Sequence, residues 1–201
     1  MSKHKVFISF HHENDQVYKD ALVKLGEEND IFIDGSVEMG EIPENWTDQK
    51  IREYIRDSHL ADTTVTILLV GTETKNRKHI DWEIYSSMYD GKINKKSGLI
   101  VILLPTVKSG YYTCSYANEK AQIYPEQKSW TSITTKSEFE RRYPYMPERI
   151  IDNLLAQNVR ISVINWDKLT VANLKMMIDN AYNSRATNQY DLSEKMKRKN
   201  S

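Results

Sequence analysis

The residues best equipped for chemistry stand in three short polar stretches, each directly behind an apolar run. His11-His12-Glu13-Asn14-Asp15 follows residues 6–10. Asp34-Gly35-Ser36, and the stretch on to Gly40, follows residues 31–33. Gly71-Thr72-Glu73-Thr74 follows residues 64–70. The first stretch holds two histidines and two acids, which are metal-ligand types. Adjacent histidines seldom face one ion, however, and no spaced partner of the HxxxH or CxxC kind accompanies them, so no metal site is expected. Asn14 or Asp15 is the expected helix cap, with His11 or His12 lining a ligand pocket or facing water. The stretch has no glycine to cradle a phosphate, which argues against a flavodoxin. Val70-Gly71 stands where a response-regulator receiver would end its third strand in a phosphoacceptor Asp.

A carboxylate further along is the more informative candidate. At about 100° per residue, Ile80, Ile84 and Met88 form one apolar stripe about 80° wide, with Glu83 roughly 100° from its centre. This sets Glu83 on the boundary between buried and exposed, in the first turn of a helix, with Ser87 one turn on and Trp82 pointing largely away from the stripe. A carboxylate so placed can meet a substrate. Equally, it is where the helix dipole favours an ordinary surface acid.

The elements that must position these residues are legible from hydropathy. Runs at 6–10, 31–33, 64–70, 99–104 and 159–164 are short and continuously apolar, as strands buried on both faces of a parallel sheet are. Between them lie helical patterns. The first carries Val17, Ala21, Leu22 and Leu25 on one face; the second runs over about 46–58; the third starts near His79; the last covers about 171–182. Strand–helix alternation implies right-handed crossovers and a doubly wound α/β sheet, whose ligand sits at the carboxyl ends of the strands beside the switch in strand order. Residues 105–158 break the rhythm. They hold six of the 12 tyrosines and no clear buried strand, with helical patterns at 138–142 and 147–157, and read as a long insertion before the last strand. A single domain over 1–185 is expected, followed by a basic tail, 186–201, in which Lys195, Lys197, Arg198 and Lys199 suggest a solvated, frayed end.

The bulk numbers narrow the classes. The chain has 201 residues, 39% hydrophobic and 28% charged, with 28 basic residues against 28 acidic ones. Such a balance gives no reason to expect nucleic acid or an anionic membrane as partner. The single Cys114 excludes an internal disulfide. No apolar run is long enough for a signal-peptide core or a membrane span, so a cytoplasmic protein is expected.

Two segments carry a family resemblance. Lys5-Val6-Phe7-Ile8-Ser9-Phe10 resembles the opening strand of Toll/interleukin-1 receptor (TIR) domains, an aromatic-Ile-Ser-aromatic strand before a polar loop. VTILLVGTET at 65–74, followed by NRKHIDWEI at 76–84, resembles the strand, loop and helix start of the TIR-like family of bacterial Thoeris anti-phage systems. The resemblance covers about residues 1–105 and reaches more weakly to the last strand and helix. It implies a flavodoxin-like, TIR-like sheet of five parallel strands and cleavage of NAD as substrate, with no further cofactor. It implies Glu83 as the catalytic residue that handles the ribose hydroxyls. Phe10, His11, Asp34, Thr72 and Trp82 are then candidate substrate contacts. The resemblance further implies an ADP-ribose-derived, cyclic nucleotide product that diffuses to a separate effector protein, and a homo-oligomer on activation. The second loop departs from many TIR domains in carrying the acids Asp34, Glu38 and Glu41. Two other readings remain beside this one: a non-catalytic adaptor acting by homotypic association, and a nucleoside deoxyribosyltransferase-like enzyme.

Overall fold

In a computed structural model, which describes residues 3–36, 42–43 and 45–200, the five apolar runs form five strands: β1 (His4–Ser9), β2 (Phe32–Asp34), β3 (Val65–Val70), β4 (Gly98–Leu103) and β5 (Ile161–Asn165). All pair in parallel, in the order β2-β1-β3-β4-β5. The chain moves outward from β1 in one direction to β2 and in the other to β3, so the switch point lies between the carboxyl ends of β1 and β3. The expected doubly wound α/β sheet is therefore present.

Among the described residues, seven helices cover it: α1 (His12–Glu28), α2 (Asp48–Tyr54), α3 (Lys78–Met88), α4 (Ala117–Ile123), α5 (Lys136–Arg142), α6 (Glu148–Leu155) and α7 (Val171–Ser184). The pleat divides the core between them. Val6 and Ile8 of β1, Ile67 and Leu69 of β3 and Ile102 of β4 meet Leu22 of α1 and Leu174, Met177 and Ile178 of α7. The alternate residues Leu68, Val70, Val101 and Leu103 meet Ile80, Ile84 and Met88 of α3 and Ile150 and Ile151 of α6. A third cluster joins Phe7 of β1 to Ile51, in the middle of α2, to Ile55, in the wide turn that continues it, and to Leu60, Trp82 and Met196. Thr47 and Thr170 cap α2 and α7 by accepting hydrogen bonds from the amides of Lys50 and Asn173.

Three expectations change. The first helix begins at His12, with His11 at the cap position and no side-chain cap, so neither Asn14 nor Asp15 caps it. Its buried face is Asp15, Leu22 and Gly26, while Val17 is 67% exposed and Ala21 faces solvent. Gly26 explains the rotation: the Phe32 ring fills the space a Cβ would need there, turning that side of the helix inward. Second, the segment between β4 and β5 holds α4 as well as the two expected helices, and Thr113 forms an isolated antiparallel bridge with Val163 on the outer edge of β5. Pro147 stands at the cap of α6 rather than as its first helical residue.

The third change is the end of the chain, which is docked rather than solvated. Asn153 of α6 exchanges hydrogen bonds with the backbone of Asp191 (3.0 and 2.8 Å). Arg149 of α6 pairs with Asp81 of α3 (2.9 Å) and donates to the carbonyls of Glu194 and Lys195. The Lys197 amide donates to Asp81 (2.8 Å), and its carbonyl accepts from the Trp82 indole (2.7 Å). Met196 is buried beside Trp82, and Arg198 reaches Asp48 and the Trp46 carbonyl. The basic residues are spread along a strap whose backbone satisfies two helices.

The Arg149–Asp81 pair is almost fully buried, with side-chain exposures of 3% and 7%. Removing one partner leaves a buried charge that the other cannot neutralise. Arg149→Met is therefore expected to destabilise the fold by about 3–5 kcal/mol, read as the midpoint shift in urea unfolding. A shift under about 1 kcal/mol, the range of an exposed pair, would show that the strap and Asp81 do not depend on Arg149.

Candidate functional site

The site is built where β1 ends. Alternation along β1 puts Phe7 and Ser9 on the face that α3 covers. The Ser9 hydroxyl donates to Oε2 of Glu83 at 2.5 Å, in a buried contact between residues 74 positions apart. One register step deeper, Thr66 of β3 and Ser87 of α3 share a hydrogen bond of 2.9 Å. The α3–sheet interface is thus apolar along Ile80, Ile84 and Met88 and polar along Glu83 and Ser87.

Glu83 is 6% exposed, so it is buried rather than at the boundary that periodicity suggested. Eight of the eleven residues of α3 are buried, because the sheet, α2, α6 and the strap enclose the helix on several sides. A hydrophobic stripe locates only the first of these contacts. Burial pushes the Glu83 carboxyl up from 4.5 to about 8, and the Ser9 hydrogen bond opposes that rise without cancelling it.

A cleft of about 80 Å³ opens onto Glu83. Phe7, Phe10, His12, Gln16, Lys19 and Ser36 are among its walls. Glu83 is the only acid among the described residues that line it. Ligand pockets commonly enclose roughly 300–1,000 Å³, so this one admits a sugar-sized portion of a larger molecule. His12, Gln16 and Lys19 sit at i, i+4 and i+7 on α1 and present one polar stripe. His12 also packs against Phe10, its ring tilted by 31° at 4.3 Å between ring centres.

The candidate contacts divide accordingly. Glu83 and Phe10 line the cleft. Asp34 does not, but it accepts from the Ser36 amide (2.9 Å) and pairs with Lys19 (3.2 Å), and both of those do. Ser36 in turn accepts from the Ile8 amide (3.1 Å), tying the start of the second loop to β1. His11 is buried beside the cleft and not in its wall; burial, chiefly, lowers its pKa. Thr72 stands off the cleft because the loop after β3 closes on itself, with the Gly71 amide donating to the Thr74 hydroxyl (2.8 Å). Trp82 is 1% exposed and packs with Phe7 and Ile55 under the strap, so its ring gives no face to a ligand. Pointing away from the first stripe brought it into a second core. Glu38 and Glu41 lie outside the described residues. Sequence reasoning offered His12 beside His11 as a pocket residue, and of the two His12 is the one in the wall; it missed Gln16 and Lys19, although their spacing from His12 was visible once α1 was placed.

Two further groups complete the surroundings. Asp15 is buried against the loop at Gly71 and its carboxyl is pushed up to about 6 by desolvation. Cys114 is buried on another part of the sheet, and desolvation pushes its thiol up to about 12, which leaves no thiolate for nucleophilic work at neutral pH.

A family model for the TIR-like domain of the Thoeris protein ThsB matches residues 7–109. The chain belongs to the ThsB TIR-like family. The match runs from the second half of β1 through the turn after β4 and so contains every described cleft residue, together with Ser9, which holds Glu83. No curated protein matches the chain. Among the described residues, no helix of this ThsB-family chain is long and apolar enough to cross a membrane.

Glu83 gives a sign that can be checked. Its folded pKa, about 8, lies above its ordinary 4.5. The native state therefore holds the proton more tightly, and its stability falls as pH rises from 4.5 to about 8. Gln keeps the amide oxygen for Ser9 and has no proton to lose. Glu83→Gln should match the wild type in melting temperature near pH 4.5, exceed it increasingly up to about pH 8, and hold that lead above. Melting curves at pH 5 and pH 8.5 decide; a gap independent of pH would mean that Glu83 titrates as an ordinary acid.

Proposed function

We propose that this ThsB-family chain is a cytoplasmic NAD-consuming enzyme of anti-phage defence. It cleaves the nicotinamide–ribose bond and makes an ADP-ribose-derived, cyclic signal for a separate effector protein, with homo-oligomerisation as a step in its activation. One observation carries the reading: Glu83, the one acid among the described residues of the cleft, is held by Ser9 at the β1/β3 switch point and faces a cleft of sugar size.

The chemistry suits that arrangement. The bond between the anomeric carbon and the nicotinamide nitrogen breaks with both electrons leaving on nitrogen. The pyridinium becomes neutral nicotinamide, and the sugar becomes oxocarbenium-like. A carboxylate hydrogen-bonded to the ribose hydroxyls stabilises that charge more in the transition state than in the ground state. Nicotinamide departs without protonation, so no second acid is needed. Attack at the anomeric carbon by water gives ADP-ribose; attack by a nucleophile of the same molecule closes a ring. The ribose enters beside Glu83 and Ser36, Phe10 offers a ring face, and Lys19 and His12 stand on the stripe that faces the phosphates.

The adaptor reading loses one of its surfaces, because Trp82 and Asp81 on α3 are covered by the strap. The family assignment supports a TIR enzyme over a deoxyribosyltransferase-like one.

Chromatography with mass detection tests the proposal on NAD incubated at high protein concentration, and again in lysate from phage-infected cells. The wild type is expected to release nicotinamide and Glu83→Gln to release none, with its melting curve showing an intact fold. Release by both proteins, or by neither in either setting, would sink the assignment. At NAD concentrations well below KM, turnover reports the free enzyme. It should rise with pH as Glu83 ionises and level off above about pH 8. A flat profile from pH 6 to 9 would remove the ionised carboxylate from the mechanism.

A further inference from the structure

The segment between β4 and β5 lies almost wholly beyond the family match, and the NAD chemistry draws nothing from it. After β4 the chain turns through Pro105–Val107, with Lys108 in the left-handed region. It then runs along the outer edge of β5, where Thr113 and Val163 exchange backbone hydrogen bonds of 2.8 and 2.7 Å. Asn165, the last residue of β5, donates to the Tyr111 carbonyl (3.2 Å). Tyr111 and Tyr112 are thereby fixed at the carboxyl edge of the sheet, the edge that also carries the Glu83 cleft. They lie at the far strand: from β1 to β5 is three strand spacings, about 14 Å.

A second cleft opens there, of about 220 Å³, among Gly110, Tyr111, Tyr112, Gln127, Trp130 and Arg142. Its walls are ordered by their own contacts. Tyr112 stacks on Tyr124 at 3.7 Å with 11° between the planes, and Trp130 stands edge-on to Tyr112 at 5.7 Å and 73°. The two rings form a corner of perpendicular aromatic faces. The Tyr112 hydroxyl donates to Gln127 (3.1 Å), and Gln127 donates to the Ser129 carbonyl (2.7 Å). The Tyr124 hydroxyl of the same stack is buried with no hydrogen-bond partner among the described residues. On the other side, Arg142 lies 5.1 Å from the Tyr111 ring centre and uses its Nε on Glu138 (2.7 Å). Among the described residues its two terminal nitrogens have no hydrogen-bond partner and are left for an acceptor. Lys120, above Trp130, adds a second cation.

We propose that this cleft is a ligand site, separate from the Glu83 cleft, for a planar heterocycle that carries a phosphate, of which a mononucleotide is the simplest form. The base lies against Trp130 and Tyr112, and its edge meets Gln127. The phosphate lies on the terminal nitrogens of Arg142, whose fork suits two phosphate oxygens. Base stacking on aromatic side chains tolerates any base because every base has a π-face. The volume holds one ring system and its sugar, not a folded partner.

Calorimetric titration of the full chain with 5′-AMP tests this, alongside adenosine and inorganic phosphate. Gly110 provides a clean block: a Cβ added there meets nothing within 4 Å, and its backbone is not left-handed, so Gly110→Phe fills the cleft without displacing the core. The wild type should bind 5′-AMP saturably below 1 mM. Gly110→Phe, Trp130→Ala and Arg142→Gln should each weaken it at least tenfold, while Glu83→Gln should leave it unchanged. Adenosine should lose affinity with Gly110→Phe and be indifferent to Arg142→Gln. No saturable binding to the wild type overturns the proposal. So does a 5′-AMP affinity that survives Gly110→Phe and Arg142→Gln but falls with Glu83→Gln, since that places the nucleotide in the Glu83 cleft. Neither result bears on nicotinamide release, so failure here is distinct from failure of the NAD reading.

Discussion

The hydrogen bond between Ser9 and Glu83 is the constraint around which the rest of this molecule is arranged. A carboxyl enclosed by α3, β1 and α2 loses its water, and desolvation disfavours its charge. One hydroxyl at 2.5 Å returns part of what water gave. The arrangement persists because the groups that enclose Glu83 are held by other forces. Phe7 and Trp82 pack on one side of it, and Ile80 and Ile84 bind α3 to the sheet on the other. A polar group in this position is costly by itself and is tolerated because α3 cannot leave.

What keeps α3 in place comes from both ends of the chain. β1 supplies Ser9 and Phe7. The C-terminal strap supplies the backbone of Lys197 to Asp81 and Trp82, and the side chain of Met196 to the cluster beneath. Arg149 links α6, Asp81 and the strap through five hydrogen bonds counted with the Lys197 amide. Asp81 and Trp82 therefore fix the rotation of α3 about its own axis. Glu83 is the next residue, so its aim at β1 depends on a contact made on the opposite side of the helix.

The sequence carried the sheet well, for a physical reason. β-Branched and leucine-rich runs such as 65–70 and 98–103 are buried on both faces, and few other elements produce so short and so continuous an apolar run. It also carried the order of elements, and hence the edge where the site lies. It failed wherever burial came from a second partner. Glu83 and Trp82 lie off the hydrophobic stripe of α3, yet α2 and the strap enclose them. Val17 lies on a plausible face of α1, yet the Phe32 ring at Gly26 selected another. The strap itself reads as a charged, frayed end, because its attachment is through backbone groups and one methionine, which leave no hydropathy signal. Lys19 was missed as part of the cleft because its role follows from the tilt of α1 against Asp34, a contact between two elements.

The raised pKa of Glu83 bears on how such a site works under the proposed function. A carboxylic acid near neutrality in the empty cleft is mostly protonated at pH 7, and a neutral acid is a poor partner for an oxocarbenium ion. NAD brings its own remedy. Its nicotinamide ring is a fixed cation bonded to the sugar that Glu83 contacts, and a positive charge within a few ångströms lowers a carboxyl pKa. Binding of the substrate then favours loss of the proton that burial had retained. By linkage, the ionised carboxylate binds the cationic sugar more tightly than the acid does. The charge is created where the transition state needs it and only when a substrate of the right sign is present. Once nicotinamide has left, the positive charge departs from the cleft with the quenching of the oxocarbenium ion, and the pressure of desolvation returns Glu83 to its protonated form. Under the proposed function, a buried acid held by one hydroxyl is thus a site whose resting state is electrically quiet, and whose active state would be assembled by the charge of the molecule it cleaves.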